Sequence, residues 1–152
     1  MAVIRRARPE EAEILSALAV DSEAYWGYAP EYMERFKTIY RVTAGFIKEN
    51  PVYVLLESGQ VQGFYGLLLG NGEPALEYFY IARERIGRGY GTLLWKHLVE
   101  KCRELGIREL VIIAAPEAAG FYKRMGAVAA GELESRVLAG RKVVRLVYTT
   151  GC

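Results

Sequence analysis

Cysteine is almost missing from this chain of 152 residues: only Cys102 and Cys152 occur, far apart. Two isolated thiols support neither a disulfide framework nor a metal site, so no metal is expected and a reducing, cytoplasmic setting follows. Histidine is scarcer still, with His97 alone. Long apolar runs are absent: none approaches the roughly 20 residues that span a bilayer. The opening Met-Ala-Val-Ile-Arg-Arg-Ala-Arg also lacks the apolar core of a secretory signal. No membrane partner is expected. A formal net charge of +2 is too small to argue for nucleic acid by bulk electrostatics. There are no repeats, linkers or low-complexity segments, and the length suits one domain over residues 1–152.

What is present divides into clear segments. A short strand over 3–7 precedes Pro9, which suits the first turn of a helix. Ala12, Leu15, Leu18 and Ala19 recur at helical spacing, so that helix runs to about Tyr25. Trp26-Gly-Tyr-Ala breaks it, and Pro30 opens a second helix containing Met33, Phe36 and Tyr40. Thr43 caps a short third piece that stops at Asn50-Pro51. Strands over 52–56 and 61–69 flank Ser58-Gly59, and Asn71-Gly72 turns into a third strand, Ala75–Ile81. The helix after the next glycines places Leu93, Leu94, Leu98, Cys102 and Leu105 on one face and ends at Gly106. Leu110-Val-Ile-Ile113 is a continuous apolar strand, which implies burial on both faces. A short helix over 118–125 stops at Gly126, and a closing hairpin over 137–147 turns at Ala139-Gly140. A single mixed α/β (α+β) fold follows.

The richest stretch is the strand Ala75-Leu-Glu-Tyr-Phe-Tyr-Ile81 followed by Gly87, Gly89 and Gly91 at the start of a helix. A helix N-terminus carries free N–H groups and the positive end of the macrodipole, so it attracts an anion. Glycines let a phosphate approach the backbone. A P-loop needs Gly-x-x-x-x-Gly-Lys-Ser/Thr, which does not occur here. A Rossmann fingerprint fits Gly87 and Gly89 but meets Thr92 at its sixth position; Glu109 stands at about the ribose spacing, yet an antiparallel run before the turn is wrong for a βαβ unit. A protein kinase needs far more chain.

Two motifs together resemble the GCN5-related N-acetyltransferase family. Its Arg/Gln-x-x-Gly-x-Gly/Ala string falls on Ile86-Gly-Arg-Gly89-Tyr-Gly91. Its Asn-x-x-Ala-x-x-Leu/Phe-Tyr-x-x-x-Gly-Phe signature falls on Ala115-Pro-Glu-Ala118-Ala-Gly-Phe121-Tyr122-Lys-Arg-Met-Gly126-Ala127. This chain departs at Ile86, Ala115 and Ala127, where the family has Arg or Gln, Asn and Phe. The resemblance implies a mostly antiparallel twisted sheet of about seven strands flanked by about four helices, with a splayed strand pair forming the coenzyme A (CoA) cleft. It implies an acetyl-CoA-dependent transferase acting on a small-molecule or peptide amine, as a monomer or homodimer. A CoA-binding sensor or partner module without turnover is the alternative.

Within that resemblance, Ile86, Gly87, Arg88, Gly89, Tyr90, Gly91 and Thr92 would cradle the pyrophosphate, and Phe79, Tyr80 and Ile81 would pair with the pantetheine amides. Ala118, Phe121 and Lys123 complete the cofactor set, with Arg83 and Arg85 as further cations beside the turn. Tyr122 would protonate the departing sulfur, and an N–H near Tyr80 or Ile81 would hold the oxyanion. Glu77 is the candidate base, acting through water. Strand alternation puts it with Phe79 and Ile81 in apolar surroundings that should raise its pKa. Glu73 is a weaker rival. Tyr25, Trp26 and Tyr28, in a run that mixes aromatics with carboxylates, are the candidate acceptor contacts. His97, Cys102 and Trp95 read as packing residues.

Overall fold

A computed structural model describes residues 1–70 and 72–151. The elements run β1 (Ala2–Arg6), a 3-10 turn (Pro9–Glu11), α1 (Ala12–Ala24), α2 (Pro30–Ile39) and α3 (Ala44–Glu49). There follow β2 (Val52–Glu57), β3 (Gln60–Leu68), β4 (Ala75–Ile81), a second 3-10 turn (Arg83–Arg85) and α4 (Tyr90–Glu104). The chain closes with β5 (Glu109–Ala114), α5 (Pro116–Arg124), β6 (Val128–Glu134) and β7 (Lys142–Thr149). The order matches the sequence expectation, with five helices among the described residues rather than about four because the piece capped by Thr43 is a true helix. Its cap forms as expected: Thr43 Oγ1 accepts from the Phe46 N–H at 3.0 Å. Asn71 of the expected Asn71-Gly72 turn lies outside the described residues.

One seven-stranded sheet carries all the strands of the described residues in the order β1-β2-β3-β4-β5-β7-β6, antiparallel except between β4 and β5. Each face buries its own core. Leu15, Phe36, Ile47, Val54, Phe64 and Tyr78 pack under α1–α3, while Leu94, Leu98, Cys102, Leu110, Ile112 and Leu146 pack under α4 and α5. Among the described residues no helix is long and apolar enough to cross a membrane.

Three expectations change. Leu93 and Leu105 face solvent, and the buried stripe of α4 is Leu94, Trp95, Leu98, Val99 and Cys102. β5 buries Leu110, Val111 and Ile112, but Ile113 is exposed, because the strand beside it has moved away. The closing hairpin begins earlier than 137: its first strand is β6, and Ala139-Gly140 lies in the connection before β7. Every β6 residue is exposed, so no buried face imposes a period-2 pattern, and a register shift between Ala129 and Glu132 breaks the alternation further. Val137 is instead a buried plug against the α1–α2 core.

Candidate active site

β4 and β5 pair at only two positions, Ala75 with Val111 and Leu76 with Ile112. Beyond Leu76 the strands part, and a cavity of about 840 Å³ fills the opening. The alternation of an antiparallel ladder shows which peptide groups face it. The Ala82 N–H donates to the Gln62 carbonyl at 2.8 Å, so in the regular register from Tyr78 to Ile81 the Tyr78 and Tyr80 groups turn toward β3. The Phe79 and Ile81 groups turn toward the opening. The expected oxyanion donor therefore narrows to Ile81, because the Tyr80 N–H is engaged in the sheet.

The glycine turn closes one end of the cavity. Gly87 and Gly89 have φ of +83° and +89°, and an ideal Cβ on either meets nothing within 4 Å. Left-handed backbone, not crowding, demands glycine there. The first bond into α4 is donated by Leu93 to the Gly89 carbonyl at 3.2 Å, which leaves the Tyr90, Gly91 and Thr92 N–H groups as the free donors of the first turn. An open, donor-rich helix start of this kind suits a pyrophosphate. Gly91 serves a different purpose: its Cβ would stand 3.2 Å from Phe121 Cε1, so its bareness lets α5 close on α4.

Ile86, Gly87, Gly89, Gly91, Thr92, Phe79, Tyr80, Ile81, Ala118 and Phe121 all line the cavity. Arg88 and Lys123 are exposed and outside its wall. The cation that α5 brings to the wall is Arg124, whose Nη1 lies 3.5 Å from where a Gly120 Cβ would stand; nothing in its exposed, helical sequence setting distinguished it from Lys123. The Tyr90 ring points elsewhere: its hydroxyl donates to Glu57, and the Arg85 guanidinium lies 5.9 Å from the ring centroid. Arg83 uses its backbone N–H to bind Asp21 Oδ2 at 3.0 Å, tying the β4 end to α1.

Tyr122 is buried with its ring on the cavity wall, edge-on to Phe79 at 5.9 Å between centroids. Burial, with a smaller contribution from Glu23, pushes the phenol well above its ordinary pKa, so it stays protonated throughout the physiological range. Glu77 does not share a face with Phe79 and Ile81. The β3–β4 register passes from Gly66↔Tyr78 to Leu67↔Leu76, leaving Glu77 as the extra residue of a bulge. That insertion breaks the alternation and swings Glu77 to the α2 side, where Arg136 Nη2 lies 3.3 Å from Glu77 Oε2. Its surroundings are thus an ion pair rather than an apolar strand. Glu73 pairs with Arg145 at 3.2 Å. His97 Nδ1 lies 2.9 Å from the Tyr65 hydroxyl, in a packing role against β3, as its helical position led us to expect.

The α1–α2 side of the cavity is walled by aromatic residues at helical spacing. Tyr32 and Phe36 stack at 6.4 Å and Phe36 and Tyr40 at 5.1 Å. Trp26 lines the cavity, whereas Tyr25 is exposed and packs edge-on against Trp26. Tyr28 sits just outside the wall, where its hydroxyl donates to Glu117 Oε1 at 3.0 Å and Arg141 lies 4.7 Å from its ring. Arg136 covers the Tyr40 ring at 4.5 Å, so two arginines strap the β6–β7 connection across the aromatic row. Glu23, on the last turn of α1, also faces the cavity, and its Oε2 accepts from the Tyr32 hydroxyl at 2.8 Å. The sequence placed Glu23 in the acceptor run without singling it out; its one local signal is an acid one turn before a helix break.

The sequence model of the acetyltransferase (GNAT) family matches residues 7–127. A 5-NmdU N-acetyltransferase of Pseudomonas phage PaMx11 is 27% identical over 134 residues, covering 87% of this chain and 91% of the relative. Among solved structures, PaiA N-acetyltransferase from Thermoplasma acidophilum, in complex with coenzyme A, superimposes with a TM-score of 0.82 at 18% identity, covering 98% of this chain and 99% of the other. A GCN5-related N-acetyltransferase of Rhodopseudomonas palustris gives a TM-score of 0.83 at 20% identity, covering 98% and 96%. The splayed strands and the glycine turn thus lie in a chain that belongs to the acetyltransferase (GNAT) family, and its activity is acetyl-CoA-dependent acetyl transfer.

Proposed function

We propose that the protein transfers the acetyl group of acetyl-CoA to a primary amine by direct attack, with no acetylated protein residue on the way. The observation that carries this reading is the convergence, at the opening between β4 and β5, of the Ile81 N–H, the Tyr122 hydroxyl and a carboxylate-bearing acceptor wall. The N–H groups at the start of α4 hold the pyrophosphate, and the free Phe79 and Ile81 groups pair with the pantetheine arm as an added strand would. Arg124 supplements these contacts; Arg88 and Lys123 reach the phosphates only from outside the wall.

The amine must lose a proton to attack, because a lysine-like amine has a reference pKa near ~10.4. Glu77 draws that proton through a water molecule, its carboxylate positioned by Arg136. As nitrogen bonds to the carbonyl carbon, negative charge develops on the oxygen and the Ile81 N–H stabilises it. The carbon–sulfur bond then breaks, and the Tyr122 hydroxyl donates to the departing sulfur. The nitrogen gives up its second proton as the adduct collapses, and that proton returns through solvent to Tyr122, while the proton taken by Glu77 passes to solvent; the products are an amide, free CoA and one proton.

The test is release of CoA thiol from acetyl-CoA with a panel of small amines, peptides bearing a free N-terminus or lysine, and 5-NmdU, the acceptor named for the phage relative. Glu77→Gln should lower kcat while the affinity for acetyl-CoA holds. A burst of thiol release without any amine, leaving acetylated protein, would overturn direct attack.

A further inference from the structure

Charge on the acceptor side is unbalanced in a specific way. Among the described residues, four carboxylates stand there, Glu23, Glu77, Glu117 and the exposed Glu134 on β6, with two guanidinium groups, Arg136 and Arg141. Both guanidinium groups are committed: Arg136 lies 3.3 Å from Glu77, and Arg141 lies 2.8 Å from Glu117. Glu23 takes part in none of the ion pairs of the described residues. It accepts the Tyr32 hydroxyl, its charge acts on the phenols of Tyr28, Tyr80 and Tyr122, and Glu117 and Arg141 act on it in turn. Burial raises its pKa above the ordinary carboxylate value; the Tyr32 bond and Arg141 oppose that rise, and Glu117 adds to it. A half-buried carboxylate without an ion-pair partner favours the arrival of a cation. Beside it runs the flat row of Tyr32, Phe36 and Tyr40, which offers ring faces and apolar surface.

We propose that Glu23 receives the ammonium of the acceptor, and that the acceptor is a single primary amine on an aromatic or apolar body, with no carboxylate beside the amine. This rests on the amine-transfer reading above. A carboxylate on the acceptor would meet Glu23 while both guanidinium groups already hold a carboxylate, Arg141 keeping its buried Nε unpartnered, so α-amino acids are disfavoured by repulsion. A polyamine would bring a second ammonium to a row of rings where, among the described residues, Glu23 is the one partly buried carboxylate without an ion pair.

The test titrates the CoA-saturated protein by calorimetry with phenethylamine, phenylalanine and spermidine, then runs the same three with acetyl-CoA while thiol release is followed. Phenethylamine should bind and react about tenfold or more better than phenylalanine, as expected for a charge-assisted bond. Glu23→Gln, which keeps an oxygen for the Tyr32 hydroxyl, should remove that preference through KM more than kcat and leave acetyl-CoA affinity unchanged. Glu23→Asp should restore much of it. Preference for phenylalanine or spermidine, no binding by any of the three, or an unchanged preference in Glu23→Gln overturns the proposal. Selective binding of phenethylamine without thiol release overturns amine transfer but supports the assignment of Glu23. Turnover that favours phenylalanine supports transfer and overturns the assignment.

Discussion

Two glycines in the same turn should fail in opposite ways when changed to alanine. Gly89 caps α4 with φ of +89°, and a Cβ there meets nothing within 4 Å. The penalty in Gly89→Ala is therefore backbone alone, about 1–2 kcal/mol for an L-residue in left-handed geometry. At roughly 2–4 °C per kcal/mol for a domain of this size, its Tm should fall by about 2–8 °C. Gly91 sits inside the first turn with ordinary helical φ, so alanine gains up to about 1 kcal/mol of helix propensity. Against that gain stands one contact, the new Cβ at 3.2 Å from Phe121 Cε1, which a partly buried ring relieves by moving a few tenths of an ångström. Gly91→Ala should thus melt at or slightly above the parent temperature. Its displaced Phe121 ring enters the cavity and should weaken acetyl-CoA binding, by less than about tenfold, equivalent to roughly 1.4 kcal/mol. Differential scanning fluorimetry and calorimetric titration with CoA read the two effects separately. A Gly89→Ala protein as stable as the parent, or a Gly91→Ala protein that loses more stability than Gly89→Ala, would refute the assignment of roles.

Tyr122→Phe removes a hydroxyl from the cavity wall, so Tm should stay within about 1–2 °C while thiol release slows at unchanged acetyl-CoA affinity; full turnover removes Tyr122 from the reaction. Burial, then Lys101, lowers the His97 pKa in the folded state. Its contribution to stability is therefore complete above the unfolded value of about 6.5 and is lost as pH falls through the folded value. Urea titrations of the parent protein and His97→Gln between pH 7.5 and 5 should show a steeper acid-side loss in the parent, and parallel curves would contradict this. Leu98→Ala hollows a fully buried site under α4 and should cost about 2–5 kcal/mol in urea unfolding, with kcat/KM intact below the melting transition.

The order of elements and an anion-binding turn were legible in the sequence because they rest on local chemistry, and the resemblance carried by two motifs made that anion CoA. Helical and strand periodicities, Thr43 as a cap, and Gly106 and Gly126 as stops each act over a few residues. The glycine string and the Phe121-Tyr122 pair likewise read as two halves of one CoA site. Tertiary structure decided the acceptor side. A single inserted residue at Glu77 reversed the face it presents, and no pattern along one strand reveals a bulge set by the register of its neighbour. Arg136 and Arg141 meet Glu77 and Glu117 across separations of 59 and 24 positions, and Glu23 stands out only because both of those cations are already taken. An anion cradle is a property of one turn of backbone. An unpaired charge is a property of everything packed around it, and only the folded chain brings that together.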